Sequence, residues 1–339
     1  MTDYNILIPI LASFIVTLFL MPYWIKKARD IGLIWDDMNK LSKDKVSGSG
    51  GVVVVLGFVI GVLIYVAYRV FLLNSHNSNL VEILSLLSVI LLLASLAFVD
   101  DLLGWRKGGL SKKSRLVLVL FAAVPLIVIN AGKSVVAIPF LGVMDIGLLY
   151  PLVFIPIGII GATTTFNFLA GFNGLEAGQG ILILSSLALV SFFTGRSWLS
   201  IILLCMVAAL LAFMLFNFYP AKVFPGDSLT YAVGGLIAVS AIVGNYEKIA
   251  VFFFIPYIIE TLLKLRGGLK KHSFGRAEED GSLGLLYNRI YGLEHLSILV
   301  MQKIGVKPSE RKVVISLWVF QLAIILIGLF IFRVGIFLE

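Results

Sequence analysis

Two adjacent carboxylates, Asp100 and Asp101, end a long apolar run in the stretch SLAFVDDLLGWRKG. Neighbouring side chains on a helix point about 100° apart, so the two acids are expected to have different tasks. The helix dipole disfavours negative charge at a helix C-terminus. A hydrated helix end would explain one acid but not two, and we therefore predict a functional role for the pair.

A second group of polar residues lies in TTTFNFLAGFNGLEAGQG, between two apolar runs. It contains Asn167, Asn173 and Glu176, and its glycines permit tight turns and close approach of the backbone to a ligand. Amides and a single acid are suited to hydrogen bonding with a sugar or a base. The alternative is a tight glycine turn whose amides satisfy one another.

A third stretch, FNFYPAKVFPGDSLTYAVGG, places Asp227 directly after Pro225 and Gly226, where another apolar run begins. Asp is a favoured N-cap residue, but a helix N-terminus also binds anions, and a carboxylate there can hold Mg²⁺ against a phosphate. The oxygen-bearing residues of the three stretches together indicate Mg²⁺-dependent phosphoryl chemistry. The basic residues expected to neutralise the phosphates are Lys112, Lys113, Arg115, Lys270, Lys271, His272 and Arg276.

The elements that position these residues are membrane spans. Of the 339 residues, 60% are hydrophobic and 14% are charged, against roughly 25% charged residues in soluble domains. The sequence therefore predicts an all-α polytopic membrane protein with about ten transmembrane helices, in a single integral domain covering residues 1–339. The expected spans are 5–25, 51–72, 80–99, 115–130, 147–166, 179–194, 198–218, 229–244, 248–265 and 313–338.

The basic residues orient these spans. With both termini outside, the inner loops hold 22 of the 27 Lys and Arg residues, as the positive-inside rule requires. The three polar stretches then face the cytosol from the cell membrane. The net charge of +8 describes one basic face, suited to anionic headgroups and phosphorylated ligands, and no nucleic-acid partner is expected. One cysteine and three scattered histidines exclude a disulfide framework and a His-rich metal site.

Two smaller elements are also predicted outside the spans. Residues 131–146 alternate apolar side chains around a Pro-Phe-Leu-Gly centre, which indicates a small outer β-hairpin. An inner amphipathic helix is predicted from Leu283 to about Val300, because apolar residues recur there at helical spacing. Such a helix lies either on the membrane surface or on the protein's own inner face.

Four segments resemble motifs of one known family. They are FVDDLLG, NFLAGFNGLEAGQ, NFYPAKVFPGDSLTYAVGG and, at Asp37–Lys40, DMNK. In order and spacing they are similar to the polyprenyl-phosphate N-acetylhexosamine-1-phosphate transferases, and most similar to the eukaryotic dolichyl-phosphate branch. The chain departs from that branch at Gly48, where the eukaryotic enzyme has a glutamate, and in the last inner loop, KKHSFGRAEEDGSLG. Eukaryote-like motifs together with a shortened last inner loop resemble an archaeal member of the family.

The resemblance implies a reaction and roles for particular residues. Family members transfer a sugar-1-phosphate from a UDP-sugar to a polyprenyl phosphate at the cytosolic face and release UMP. Asn167 and Asp227 would hold Mg²⁺, with Mn²⁺ as a possible substitute, and Asp100 and Asp101 would act on the lipid phosphate or the metal. Asn173 and Phe224 would contact the uridine. The remaining residues expected at the site are Lys113 as a catalytic residue and Asn39, Lys112, Glu176, His272 and Arg276 as substrate contacts.

The resemblance favours UDP-GlcNAc as the donor, for the first step of lipid-linked oligosaccharide synthesis in protein N-glycosylation. Two alternatives stay open: the same reaction with UDP-GalNAc or a cell-wall precursor, and a membrane transporter. A transporter would place charges near the middle of its spans, whereas the acids here cluster at one face. Direct attack by the lipid phosphate and a covalent aspartyl intermediate are both compatible with the sequence, as is a homodimer.

Overall fold

The computed structural model describes residues 6–73, 79–138 and 142–337; of these, the side chains of 105–107, 112, 136–138 and 143 are not described. The chain is mostly helical. Two π-helical turns, Tyr68–Leu72 and Tyr150–Phe154, extend α2 and precede α6. The helices are α1 Leu7–Asp30, α2 Gly51–Ala67, α3 Leu80–Lys107, α4 Lys112–Ala122, α5 Val124–Val128, α6 Ile155–Phe166, α7 Leu175–Phe193, α8 Ser197–Asn217, α9 Gly226–Gly244, α10 Glu247–Phe253, α11 Ile255–Arg266, α12 Leu293–Lys303, α13 Glu310–Ile331 and α14 Arg333–Phe337.

Seven helical segments in the described part of the chain are long and apolar enough to cross a membrane. They are Leu7–Asp30, Gly51–Leu72, Leu80–Gly104, Leu175–Phe193, Ser197–Asn217, Gly226–Gly244 and Glu310–Ile331. The protein is therefore a multi-pass membrane protein, as predicted. The expected count of ten stays a prediction, because the other three spans correspond to shorter pieces.

One of these three pieces is a short helix, and the other two are spans divided at a proline. The apolar helix Tyr150–Phe166 is shorter than the seven others. The expected span 115–130 is divided between α4 and α5, and the expected span 248–265 is divided between α10 and α11. Pro125 and Pro256 stand in the first turn of the second helix of each pair. A proline lacks the N–H that would continue the preceding helix, which explains both interruptions.

Two glycines allow α9 to pack between α3 and α6. A Cβ on Gly234 would lie 2.7 Å from the carbonyl oxygen of Ala162 in α6, and a Cβ on Gly235 would lie 2.3 Å from Leu93 Cδ1 in α3. Small residues permit such close helix approach within membranes. Asp101, Asn167 and Asp227 are brought together as a result. The paired acids do not end α3 as the sequence suggested, because the helix continues past them to Lys107.

Three two-stranded antiparallel ribbons complete the described fold. β3 Val135–Ile138 pairs with β4 Gly142–Asp145 and confirms the predicted hairpin. β1 Ile34–Asp36 pairs with β2 Lys45–Ser47, and β5 Arg276–Ala277 pairs with β6 Leu283–Gly284. The last two ribbons were not predicted, since their strands are two or three residues long.

The predicted amphipathic helix begins at Leu293, ten residues later than expected. Leu283 belongs instead to β6, and the extended residue Gly292 precedes α12. The Leu293 backbone N–H donates to a Glu260 carboxylate oxygen at 2.6 Å, which supplies an acceptor for the new helix start. Leu293 is buried against the protein while Val300 is exposed. One face of the helix thus packs on the protein, and an apolar edge remains uncovered.

Candidate functional site

A cavity of about 700 Å³ opens where the polar ends of α3, α6 and α9 meet the loops around residues 35–38, 170–173 and 272–275. Seven of the residues predicted for the site line it: Asp101, Asn167, Asn173, Glu176, Phe224, Asp227 and His272. The three polar stretches of the sequence therefore share one cavity.

Asp101 joins α3 to the start of α9. Its Oδ1 accepts from the backbone N–H of Asp227 at 2.9 Å, and its Oδ2 accepts from Ser49 Oγ at 2.9 Å and from the backbone N–H of Ser228 at 3.4 Å. These N–H groups belong to the first turn of α9 and have no partner within that helix. Gly226 makes the approach possible, since its φ is +71° and a Cβ there would lie 2.4 Å from Asp101 Oδ2.

Asp100 has a different set of partners, as the angular separation of the two acids predicts. It is buried, its Oδ1 accepts from the backbone N–H of Leu110 at 2.6 Å, and its Oδ2 lies 2.5 Å from Arg115 Nε. Arg115 also places a guanidinium nitrogen 3.7 Å from Asp227 Oδ2. One arginine thereby connects Asp100, just outside the cavity, with Asp227 on its wall.

Asn167 and Asp227 form the part of the wall with oxygen ligands for a cation. Asn167 Nδ2 donates to Asp227 Oδ1 at 3.1 Å, and Thr230 Oγ1 donates to Asn167 Oδ1 at 3.2 Å. Within the described ranges, no group of three or more His, Cys, Asp or Glu residues is arranged to hold a metal by itself. This donor set still fits Mg²⁺, which commonly takes one or two carboxylates and completes its shell with water and substrate phosphate.

Glu176 stabilises the glycine loop on the other side of the cavity. Its Oε1 accepts from the backbone N–H of Gly171 at 2.8 Å, and Gly171 has a φ of +105°, where a side chain would be strained. Glu176 Oε2 is buried and has no hydrogen-bond partner in the part of the chain that the structure describes. The side chain of Glu176 thus supports the loop from beneath the cavity surface.

Phe224 is fixed in the wall through its backbone. Its N–H donates to the carbonyl of Ser47 in β2 at 2.7 Å, and its carbonyl accepts from the N–H of Gly50 at 2.9 Å. The loop before α9 is thus attached to the β1–β2 ribbon and the start of α2. The ring lines the cavity, where an aromatic face can stack on a planar ligand.

The other predicted residues lie around the cavity. Asn39 is buried outside the set of lining residues, with its amide bonded to Gly171 and Gly275. Lys113 is exposed on the first turn of α4, and the side chain of Lys112 lies outside the described residues. Arg276 is 65% exposed, and its Nε lies 2.9 Å from Glu278 Oε1, so the structure does not bring it into the cavity.

Three buried or bridging residues were not singled out from the sequence. Arg115 was one of several basic residues considered for phosphates, and its special feature is the double contact with Asp100 and Asp227. Asp37 and Glu310 are buried and both contact Asn173. The DMNK motif was a signal for Asp37, whereas Glu310 has the ordinary appearance of an acid at a helix start.

Lys40 carries a charge that balances this acidic pair. Its Nζ lies 2.9 Å from Asp37 Oδ2. Burial alone would lower the pKa of Lys40, but the hydrogen bond to Asp37 and the negative charges of Asp37, Glu310 and Asp44 raise it. The lysine therefore stays protonated at neutral pH beside the cavity loop.

Comparison with known proteins decides the family. The sequence profile of glycosyl transferase family 4 matches residues 83–245. A Saccharolobus solfataricus protein, provisionally named UDP-N-acetylglucosamine–dolichyl-phosphate N-acetylglucosaminephosphotransferase, is 35% identical over 92% of both chains. The chain belongs to glycosyl transferase family 4. The matched range contains Asp100, Asp101, Asn167, Asn173 and Asp227.

Two further relatives carry different enzyme names. The Dictyostelium discoideum UDP-N-acetylglucosamine–dolichyl-phosphate N-acetylglucosaminephosphotransferase is 29% identical over 67% of this chain and 63% of its own. The Halalkalibacterium halodurans phospho-N-acetylmuramoyl-pentapeptide-transferase is 31% identical over 77% of this chain and 82% of its own. Chains similar to this family 4 member thus carry names for two different sugar donors.

Proposed function

We propose that the protein transfers GlcNAc-1-phosphate from UDP-GlcNAc to a polyprenyl phosphate of the dolichyl type and releases UMP. This step would initiate lipid-linked oligosaccharide synthesis for protein N-glycosylation. The observation that carries the proposal is the meeting of Asp101, Asn167 and Asp227 at one cavity, in a membrane protein of family 4. The names of the Saccharolobus and Dictyostelium relatives support the donor and the acceptor.

The finer topology belongs to the same proposal. The chain crosses the membrane about ten times with both termini outside, and the cavity opens to the cytosol. The strong bias of Lys and Arg toward the loops around the cavity supports this orientation. A cytosolic cavity gives the site access to a soluble nucleotide sugar while the lipid acceptor arrives from the bilayer.

The residues of the chain have separate tasks in this reaction. An oxygen of the lipid phosphate forms a bond to the β-phosphorus of the donor, and the bond between that phosphorus and the bridging oxygen breaks, so that UMP leaves. Asp227 and Asn167 would hold Mg²⁺ or Mn²⁺, which supplies neutralisation of the diphosphate charge when bound. Arg115 holds Asp100 and Asp227 in fixed positions. Lys113 lies two residues earlier on the exposed turn of α4, where it can attract a phosphate.

The contacts of the paired acids favour direct attack over a covalent aspartyl intermediate. Both oxygens of Asp101 accept hydrogen bonds from Ser49 and the start of α9. Both oxygens of Asp100 are engaged by Leu110 and Arg115. A carboxylate bound in this way is a weak nucleophile, because attack would require it to give up these hydrogen bonds and this ion pair.

A panel of donors tests the proposal. Purified protein in detergent with Mg²⁺ and dolichyl phosphate should produce a labelled, lipid-extractable product from UDP-GlcNAc, little from UDP-GalNAc and none from UDP-MurNAc-pentapeptide. The pentapeptide donor is included because the Halalkalibacterium relative is named for the transfer of phospho-N-acetylmuramoyl-pentapeptide. The structure places Asp227 in the first turn of α9 and Pro225 at the N-cap, so Asp227 does not cap the helix as the sequence suggested. Asp227→Asn is the matched control, since Asn keeps the size of the side chain and the variant should fold without turning over donor. Efficient use of the pentapeptide donor would overturn the sugar assignment.

A further inference from the structure

Glu310, the first residue of α13, connects loops that are far apart in sequence. It is buried, and its Oε1 accepts from the backbone N–H of Asn173 at 2.8 Å and from Asn39 Nδ2 at 3.4 Å. Asn39 Nδ2 also donates to the carbonyl of Gly171 at 2.9 Å, and Asn39 Oδ1 accepts from the N–H of Gly275 at 3.1 Å. Glu310 itself is not among the described residues that line the large cavity.

The two neighbouring carboxylates determine which way the Asn173 amide points. Asn173 Nδ2 lies 3.1 Å from Asp37 Oδ2 and 3.5 Å from Glu310 Oε2. Each acid presents an acceptor oxygen to this amide, so the amide nitrogen faces both of them. With the two hydrogens of Nδ2 engaged, Oδ1 is the polar atom of this cavity-lining side chain that remains for a ligand.

An amide oxygen fixed in this way selects a ligand by its hydrogen-bonding pattern. The N3 position of uracil carries a hydrogen and donates to an oxygen acceptor, whereas N3 of cytosine carries a lone pair and opposes it. A buried site that pairs one pattern and leaves the other unpaired discriminates strongly between two ligands of similar size.

We infer that Glu310 is a positioning residue that sets base specificity: with Asp37 it holds the oxygen of Asn173 toward the cavity and so selects a uracil nucleotide over a cytosine nucleotide. The inference rests on the proposed function, which requires a UDP-sugar donor. Glu310 acts through Asn173 and contacts no substrate itself. The two residues are 137 positions apart in the sequence and meet only in the folded chain.

Glu310→Gln tests the inference with little change in shape. The new amide can donate its own N–H to the oxygen of Asn173. The nitrogen of Asn173 is then no longer required to face residue 310, and its oxygen can turn away from the cavity. We expect the KM for UDP-GlcNAc to rise about tenfold with a smaller change in kcat, and the ratio of UMP to CMP affinity to fall about tenfold. The affinities are measured by calorimetry with UMP and CMP on the purified protein.

Two further variants make the outcome decisive. Asp37→Asn removes the other carboxylate that holds the same nitrogen, and it should lower the UMP to CMP ratio in the same direction. Glu82→Gln makes the matched change on the first turn of α3, remote from the cavity, and should keep the wild-type ratio. An active enzyme whose UMP to CMP ratio is unchanged in both Glu310→Gln and Asp37→Asn would overturn the inference and leave the proposed function standing. Absence of UMP binding by the wild-type protein would overturn both.

Discussion

At the scale of single residues, Asp101 connects three parts of the chain in the cavity wall. Its carboxylate accepts from one side chain and two backbone N–H groups, and it links α3 to the first turn of α9. A carboxylate in this place caps the helix and holds Asp227 at a fixed distance from Asn167. A change at Asp101 should therefore affect both the stability of the helix start and the proposed reaction.

Asp101→Asn is expected to damage both stability and turnover. The asparagine has one acceptor oxygen, and its NH₂ would oppose an N–H of α9, so the free energy of unfolding should fall by about 1 kcal/mol, the usual cost of a lost cap. The displaced Asp227 should reduce kcat on the order of 100-fold, as for other misplacements of about 1 Å. Thermal unfolding and transferase assays measure the two effects. Asp145→Asn on the exposed hairpin is the control, and wild-type turnover by Asp101→Asn would contradict this account.

The polar residues of the site could be predicted when they interrupt an apolar run. Asp100, Asp101, Asn167 and Asp227 stand out for that reason, and the structure places all four at or beside one cavity. Arg115 and Glu310 could not be assigned in this way. Their significance depends on partners that folding brings from far along the chain, and an isolated arginine or glutamate near a helix start has no distinctive pattern.

At the scale of elements, the distance between α6 and α9 controls the site. Asn167 follows the last turn of α6, and Asp227 stands in the first turn of α9. Gly234 permits the contact of the two helices, because its position lies against the backbone of Ala162. A change at this contact should therefore be felt at the Asn167–Asp227 pair, two turns away.

Gly234→Ala is expected to separate the two helices. The added Cβ would lie 2.7 Å from a backbone oxygen that cannot rotate away, and such overpacking typically costs about 1–3 kcal/mol. Turnover should fall because Asn167 moves relative to Asp227. Gly161→Ala in α6 is the matched control, since its Cβ would meet nothing within 4 Å. Equal turnover and equal thermal stability of the two variants would show that the contact does not position the site.

Glu294, in the first turn of α12, is expected to make the stability of the protein depend on pH. Glu294 is fully buried beside Glu260, Lys264 and Glu176, and neither of its oxygens has a hydrogen-bond partner in the described ranges. Burial, followed by the negative charge of Glu260, raises the pKa of Glu294 well above its usual range. The folded state therefore binds more protons at this residue than the unfolded state, and stability is lost as pH rises through the interval between the two pKa values.

Glu294→Gln removes that loss. The thermal stability of the variant relative to wild type should increase as pH rises from about 5 to about 8. Only the wild type loses free energy of unfolding when this buried carboxyl ionises. Thermal unfolding of the two proteins across this pH range measures the difference. A stability difference that does not change with pH would contradict the raised pKa of Glu294.

The sequence predicted elements better than their ends. The apolar runs and the hairpin at β3–β4 were readable from composition and alternation. The late start of α12 was not readable, because it depends on an acceptor from Glu260. The break of α10 from α11 was missed although Pro256 signals it in the sequence. The β1–β2 and β5–β6 ribbons carry too few residues for any alternation to be visible.

At the scale of the whole molecule, the cavity, the basic loops and the helix ends lie together, which predicts a cytosolic site. Cys205 is buried and is the single cysteine of the chain, so an introduced cysteine can be labelled selectively. Glu279→Cys, in an exposed loop, should react with an impermeant maleimide only from the cytosolic side. Lys133→Cys, beside the hairpin, should react only from outside, and the opposite pattern would reverse the proposed orientation.

The central claim is that a sugar phosphate is transferred, and the fate of the β-phosphorus tests it most directly. UDP-GlcNAc labelled with ³²P at the β-position is incubated with purified protein, Mg²⁺ and dolichyl phosphate, and the lipid extract and the released nucleotide are analysed together. We predict that the label enters the lipid fraction in equal amount to the UMP released, and that Asp227→Asn yields neither. Label retained in water-soluble UDP while GlcNAc alone reaches the lipid would contradict the account.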